Sequence, residues 1–379
     1  FTAFVTSVLL HEKILKKINR HRILIRINEI EMLGRQFLPG IDNGEDFIDP
    51  EHYYTSDLDI FGERSLFHAI DRTVTQIGRD RLARDLQFPG NIEEISARQE
   101  AVNELRDMLD FRQNIQAQGM TPEGNTLYTS GKEPVPGSTT FWGYKNNRRI
   151  ISRFTPTKDA APVSSAGKGS FFNLFDKEFF LLGKKVAVFF IYLIPFITLS
   201  LFISMFFGVS LGVPLLSMIF QLLLNWAVAK PVSRIYKRTT KNGKILKTYA
   251  GIIKEIEDET FESKKLIDLK RGLSITGGIE NSPGVLKPGK TIKASHAIKK
   301  LSNLLEWFDL RLSGMMHFIL NNSFLWDLHC IYRIEKWQKK FAGRIARWFE
   351  VIGEVEVLST FANLYFNNPG WSLPDIKPE

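Results

Sequence analysis

An all-α fold is what this sequence predicts, and three observations predict it. Apolar residues recur at three- and four-residue steps through most of the chain, the period of a buried helix face. The breaks between these runs fall at Gly, Pro and Asn, residues that stop or restart helices. One stretch, residues 186–207 (VAVFFIYLIPFITLSLFISMFF), carries no charge over a length that crosses a bilayer as helix. The architecture expected is a split helical core, an inserted hairpin of two apolar helices, and a long returning helix.

Residues 1–54 are expected to be an N-terminal helical segment. Its opening FTAFVTSVLL reads as the tail of an upstream membrane helix, and both chain ends read as cut from something longer. Residues 55–118 form the first part of the core. There Leu66, Phe67, Ile70, Val74 and Ile77 keep helical spacing. The expectation is one helix broken at Gly78, a second stopped by Pro89, and a third restarting behind Asn91. Asn91 is a good N-cap, and Glu94 stands three residues on, as in a capping box. Ile95, Val102, Leu105 and Leu109 are the apolar face of that third helix. Asp71 and Arg98, if buried here, need partners.

Residues 119–180 read as loop or linker, rich in Gly, Pro, Ser and Thr, with one short strand near 150–154. Arg148, Arg149 and Arg153 are its candidates for contacting DNA phosphate or lipid headgroups; the alternative is a solvated basic loop. Residues 181–230 are the expected transmembrane hairpin, with 208–214 as its turn. Its second arm, 215–229, reaches spanning length only if 209–213 joins it. Lys177, Lys184 and Lys185 precede the pair, and Lys230, Arg234, Lys237 and Arg238 follow it. The positive-inside rule puts both flanks, and the bulk of the chain, on the cytoplasmic side of the cytoplasmic membrane.

Residues 231–379 complete the core. One helix is expected to end near Asp258 and a shorter one before Gly272. Ile298, Leu301, Leu305, Phe308, Leu312, Met315 and Ile319 then make a heptad-like seam that Asn321-Asn322-Ser323 interrupts. Ile334, Trp337, Phe341, Ile345, Trp348, Ile352 and Val355 continue the pattern on a helix of about 40 residues, roughly 60 Å long. Nothing of that length is needed to close a compact core. It has the shape of a lever.

The signals for chemistry are few. Gly284, Gly289, Lys290 and Thr291 fit the phosphate-cradling G-x-x-x-x-G-K-[ST] pattern. No buried strand leads into them and no apolar strand ending in Asp or Glu follows, so they are read as a turn before a helix, not a nucleotide site. Cys330 is the single cysteine, which excludes a disulfide framework and a multi-cysteine zinc site, and its apolar surroundings mark a buried structural thiol. The seven histidines lack metal-ligand spacing, and no nucleophile has an evident base. No catalytic or metal-binding residue and no cofactor is expected in this chain. The formal net charge of +9 over 379 residues favours an acidic partner, nucleic acid or anionic lipid.

The run TSDLDIFGERSLFHAIDRTVTQIGRDRLARDLQFPGNIEEISARQEAVNEL, residues 55–105, resembles the start of the core of MutS-type DNA mismatch-repair proteins. FEVIGEVEVLSTFANLYFNNPGWSLPDI, 349–376, resembles the helix by which that family returns from its DNA clamp to its ATPase domain. Glu354, Leu358 and Ala362 match the family's E-x-x-x-L-x-x-x-A spacing, and Pro369 and Pro374 its exit. The resemblance implies a core-and-lever module working with DNA, as a homodimer, with ATP and Mg bound in a C-terminal ATPase domain absent from this chain. The hairpin stands where the family inserts its clamp, and the mismatch-reading and connector domains are absent. Phe61-Gly62-Glu63 spells the Phe-x-Glu of mismatch reading in the wrong place, and is taken as coincidence. The alternative function is a membrane-tethered helical scaffold for protein association.

Overall fold

A computed structural model of the chain describes residues 2–33, 42–120, 180–181, 185–239, 242–276 and 291–376. Its fold is all-α. The N-terminal block comprises α1 (Thr2–Leu33), α2 (Leu66–Ile70), α3 (Gln76–Gln87), α4 (Ile92–Asp107) and α5 (Leu109–Gly119). The apolar pair follows as α6 (Lys185–Ser204) and α7 (Gly212–Thr239). Then come α8 (Asn242–Asp258), α9 (Lys264–Leu273), strands β1 (Ser274–Thr276) and β2 (Thr291–Lys293), α10 (Ala294–Asp309), α11 (Gly314–Phe324) and α12 (Trp326–Asn367).

The predicted break at Gly78 lies elsewhere. The chain leaves the helix after Ile70, and Gly78 sits inside the first turn of α3. Local side-chain bonds decide this. Asp71 Oδ1 accepts from the Thr73 amide (2.9 Å) and hydroxyl (2.7 Å), and Thr75 caps α3 by accepting from the Gly78 amide at 3.0 Å. Such bonds offer the backbone an alternative to helix that apolar periodicity does not register. Asp71 thereby also finds its partners. Asn91 caps α4 as expected, accepting from the Glu94 amide at 2.7 Å. Asn91→Ala is expected to cost about 1 kcal/mol, the usual worth of an N-cap, measured as a shift in denaturant midpoint of the detergent-solubilised chain.

The main core gathers α4, α5, α8, α9, α10 and α12, with Trp348, Leu266, Ile252 and Ile256 fully enclosed. Cys330 is buried there, and burial pushes its thiol up to about 12. Ile298, Leu301, Leu305 and Phe308 pack inward, with α10 lying along α8, as the seam predicts. Beyond them the seam fails. The chain turns through a 3-10 segment at Leu310–Leu312, and Leu312, Met315 and Ile319 face outward. Nor do Asn321 and Asn322 interrupt a helix; both are buried within α11, and the break comes at Leu325, in left-handed conformation at φ 50°. β1 and β2 pair antiparallel, Ile275 opposite Ile292, as a short ladder leading into α10.

Val188–Phe207 and Gly212–Tyr236 are long and apolar enough to cross a membrane. The second arm recruits its turn-side residues, as its length required, and runs on through Pro231 to Thr239 rather than ending at 230. Gln221, fully buried, donates to the Thr198 hydroxyl and so ties the two arms together. α12 runs 42 residues, about 63 Å, close to the length expected.

Candidate functional site

The last third of α12 is mostly apolar, VIGEVEVLSTFA, but two carboxylates interrupt it. Glu354 and Glu356 are both almost fully buried, because this part of α12 packs against α3 and α4. A buried charge needs a partner. Each finds a different one.

Glu354 meets a ring of cations. Lys265 of α9 lies 2.9 Å from it and Arg98 of α4 3.3 Å, while Arg81 of α3 pairs with its other oxygen. Arg98 also reaches Asp85 (3.0 Å) and Glu94 (2.9 Å), and Arg81 reaches Asp85 at 3.0 Å. Three cations thus face three carboxylates contributed by α3, α4, α9 and α12. Burial disfavours the Glu354 charge, but Arg81, Arg98 and Lys265 outweigh it and hold the carboxyl below its ordinary range. Asp85 goes the other way: burial raises it despite Arg81 and Arg98.

Glu356 has no such ring. It caps α3 from across the core, accepting from the amides of Val74 (2.9 Å) and Thr75 (3.2 Å) and from the Thr75 hydroxyl. Burial pushes it up to about 8 against those bonds, and nearby Asp71 adds to the rise. The two helices cross closely on glycine. A Cβ on Gly78 would meet the Glu356 carboxylate, and one on Gly353 would stand 3.1 Å from Ile77 Cγ2.

Further contacts complete the joint. Arg79, buried with Asp42 and paired also with the more exposed Asp46, closes a smaller apolar cluster of Ile60, Phe61, Phe67, Leu82 and Val357. Asp42, Asp46 and Phe47 thus pack on α3 through Arg79. At the exit of α12, Arg112 donates to Asn363 (2.6 Å) and Gln99 to the Pro374 carbonyl (2.9 Å).

The opposite end of α12 reaches the apolar hairpin. His329 meets the Tyr192 ring of α6 edge-on at 4.7 Å, and Glu335 accepts from the Phe180 amide at 2.7 Å. From His329 to Glu354 is about 38 Å of unbroken helix. One rigid element thus joins the hairpin to the N-terminal block.

Of the residues singled out in the sequence, Arg98 and Glu354 meet in the joint, and Leu358 and Ala362 are buried on the same helix. Arg81, Asp85, Lys265 and Glu356 were missed. A charged residue in an apolar phase was the available signal, and only the Glu354–Glu356 pair gives it clearly. Phe61 is buried between Phe47 and Phe67, with ring centroids 5.6 and 5.7 Å away, and Glu63 points to solvent. Phe61 is a core aromatic. Arg148, Arg149, Arg153, Gly284, Gly289 and Lys290 lie outside the described residues. Thr291 is described, and it opens β2, whereas a phosphate loop needs a helix start there. Among the described residues no three His, Cys, Asp or Glu side chains converge to hold a metal ion.

No protein-family model, curated protein or solved structure matches this chain.

Proposed function

We propose that this chain is the core-and-lever module of a MutS-like DNA-repair ATPase, anchored in a membrane by α6 and α7. The observation that supports it is the joint. The two segments that carry the resemblance stand some 250 residues apart in sequence, and they pack together through Glu354, Arg81 and Arg98. The same helix that closes this joint extends to the hairpin.

The work of such a module is mechanical. A change of nucleotide state in an ATPase domain beyond residue 376 would enter at the exit of α12. The helix would carry it toward the hairpin as a rigid rod, since packed helices move between discrete arrangements rather than bending. A DNA ligand would meet the basic loop of Arg148, Arg149 and Arg153. ATP and Mg belong to the ATPase domain, the functional unit is a homodimer, and the helical core lies on the cytoplasmic face.

The test is the polypeptide that the gene encodes across both ends of this chain, reconstituted in lipid nanodiscs. ATP hydrolysis stimulated by duplex DNA, with binding that weakens steeply as salt rises, is the expected result. A reading frame that closes soon after Glu379, with detergent partition but no response to ATP or DNA, overturns it and leaves the membrane-tethered scaffold.

A further inference from the structure

The corner between α10 and α12 exposes more apolar surface than its place in the core explains. Residues 312–326 contain no Asp, Glu, Lys or Arg. Leu312 and Met315 are 76% and 79% exposed, and Phe318 and Ile319 stand beside them about half exposed. The corner is pinned at its base by charge, since Arg311 pairs with Asp327 at 3.2 Å and His317 reaches the same carboxylate oxygen at 3.1 Å. Its polar groups turn inward. Asn225 of α7 donates to the Asn321 carbonyl (3.0 Å) and the Asn322 side chain (3.1 Å), while Asn321 Oδ1 accepts from the Asp327 amide at 3.1 Å.

Three observations say what covers this face. First, α11 packs on both α6 and α7, so its outer surface continues the apolar surface of the hairpin, where Phe196, Leu216 and Trp226 are exposed. Second, the depth is right. Asn225, which holds α11, precedes Lys230, the first charged residue of α7, by about 7.5 Å of helix. Interfacial helices bury their apolar face about 5–10 Å into the headgroup–acyl boundary. Third, Trp307 and Trp326 stack at the edge of the corner with centroids 5.6 Å apart, the residue type that favours membrane–water interfaces. With 11 residues, about 16 Å, α11 is too short to span.

We infer that residues 312–326 are a monotopic membrane foot. α11 lies in the leaflet that meets the core, with Leu312, Met315, Phe318 and Ile319 in lipid. The inference rests on reading α6 and α7 as a membrane hairpin. It adds a second support, so that α12 begins at the bilayer surface and its lower end is fixed by two contacts.

The test uses the full chain with Cys330→Ala, in nanodiscs of phosphatidylcholine and phosphatidylglycerol. An environment-sensitive NBD label is attached to Met315→Cys, Phe196→Cys or Arg84→Cys, in separate samples. The expected result is blue-shifted emission at 315, lost to lipids carrying a spin-label quencher near the headgroup. Position 196 should be quenched by a deep label, and position 84 by neither. Quenching at 196 with unshifted, unquenched emission at 315 overturns the foot and leaves the hairpin standing. No quenching at 196 defeats the hairpin reading itself. A blue shift at 315 that ignores lipid quenchers, with disulfide-linked dimers of Met315→Cys, assigns the face to a second copy and equally overturns the foot.

Discussion

Glu354→Ala is expected to destabilise the protein by about 3–5 kcal/mol, because removing one member of a buried charge cluster leaves the others unpaired. Arg81, Arg98 and Lys265 would lose their shared carboxylate, and only Arg81 and Arg98 would keep Asp85 and Glu94. Glu354→Gln should cost less, since an amide oxygen still accepts from Lys265 and Arg98. A double-mutant cycle of Glu354→Ala with Arg98→Ala separates the pair from the cluster, and a coupling of about 1–3 kcal/mol is expected for residues in one network. Acid should act in the same direction. The folded carboxyl lies below its ordinary value of 4.5, so its contribution is fully present above that value and is lost as pH falls through the lowered one. Denaturant midpoints of the detergent-solubilised chain at pH 7 and pH 4 measure both effects. A loss under about 1 kcal/mol for Glu354→Ala would place the cluster among solvated surface pairs and remove the joint as a rigid coupling.

The joint shows where sequence reading succeeds and where it stops. The long helix was legible because Ile334, Trp337, Phe341, Ile345, Trp348 and Ile352 keep one phase for five turns, and all six are buried. The hairpin was legible because lack of charge over twenty residues is itself a signal. The break after Ile70 was not, because it depends on which way the Asp71 and Thr75 side chains turn. Nor was the end of the α10 seam. Leu312, Met315 and Ile319 continue the period of Ile298 and Leu301 without interruption, and periodicity alone does not distinguish a buried face from an exposed one. Arg98 was legible as a residue in need of a partner, but beside the nearby Glu94 and Asp85 it pairs with Glu354, which lies 256 residues away. Pairing over that separation follows from how helices cross, and the crossing is permitted by glycines whose importance shows only once Glu356 and Ile77 stand against them.

Glu356→Gln is expected to stabilise the protein increasingly as pH rises from 5 to 8. Burial holds the folded carboxyl near 8, above its ordinary 4.5, so the folded state binds the proton more tightly than the unfolded chain. The stability this contributes is complete below 4.5 and is lost as pH climbs through 8, a change on the order of 5 kcal/mol by linkage. Glutamine has no proton to lose. Its carbonyl oxygen can still accept from Val74 and Thr75, and its amide can donate to the Thr75 hydroxyl, so the variant should stay near the native protein at pH 5 and exceed it at pH 8. Gly78→Ala probes the same contact sterically. The added methyl would lie 2.7 Å from Glu356 Cδ, and overpacking together with the lost cap should cost about 3 kcal/mol at either pH. A native midpoint that is flat from pH 5 to 8, with Glu356→Gln equally destabilised throughout, would mean that the carboxylate stays ionised against the α3 N-terminus. The helix dipole and the two amides would then outweigh burial, and Glu356 would join Glu354 as a permanent charge of the joint rather than a neutral cap.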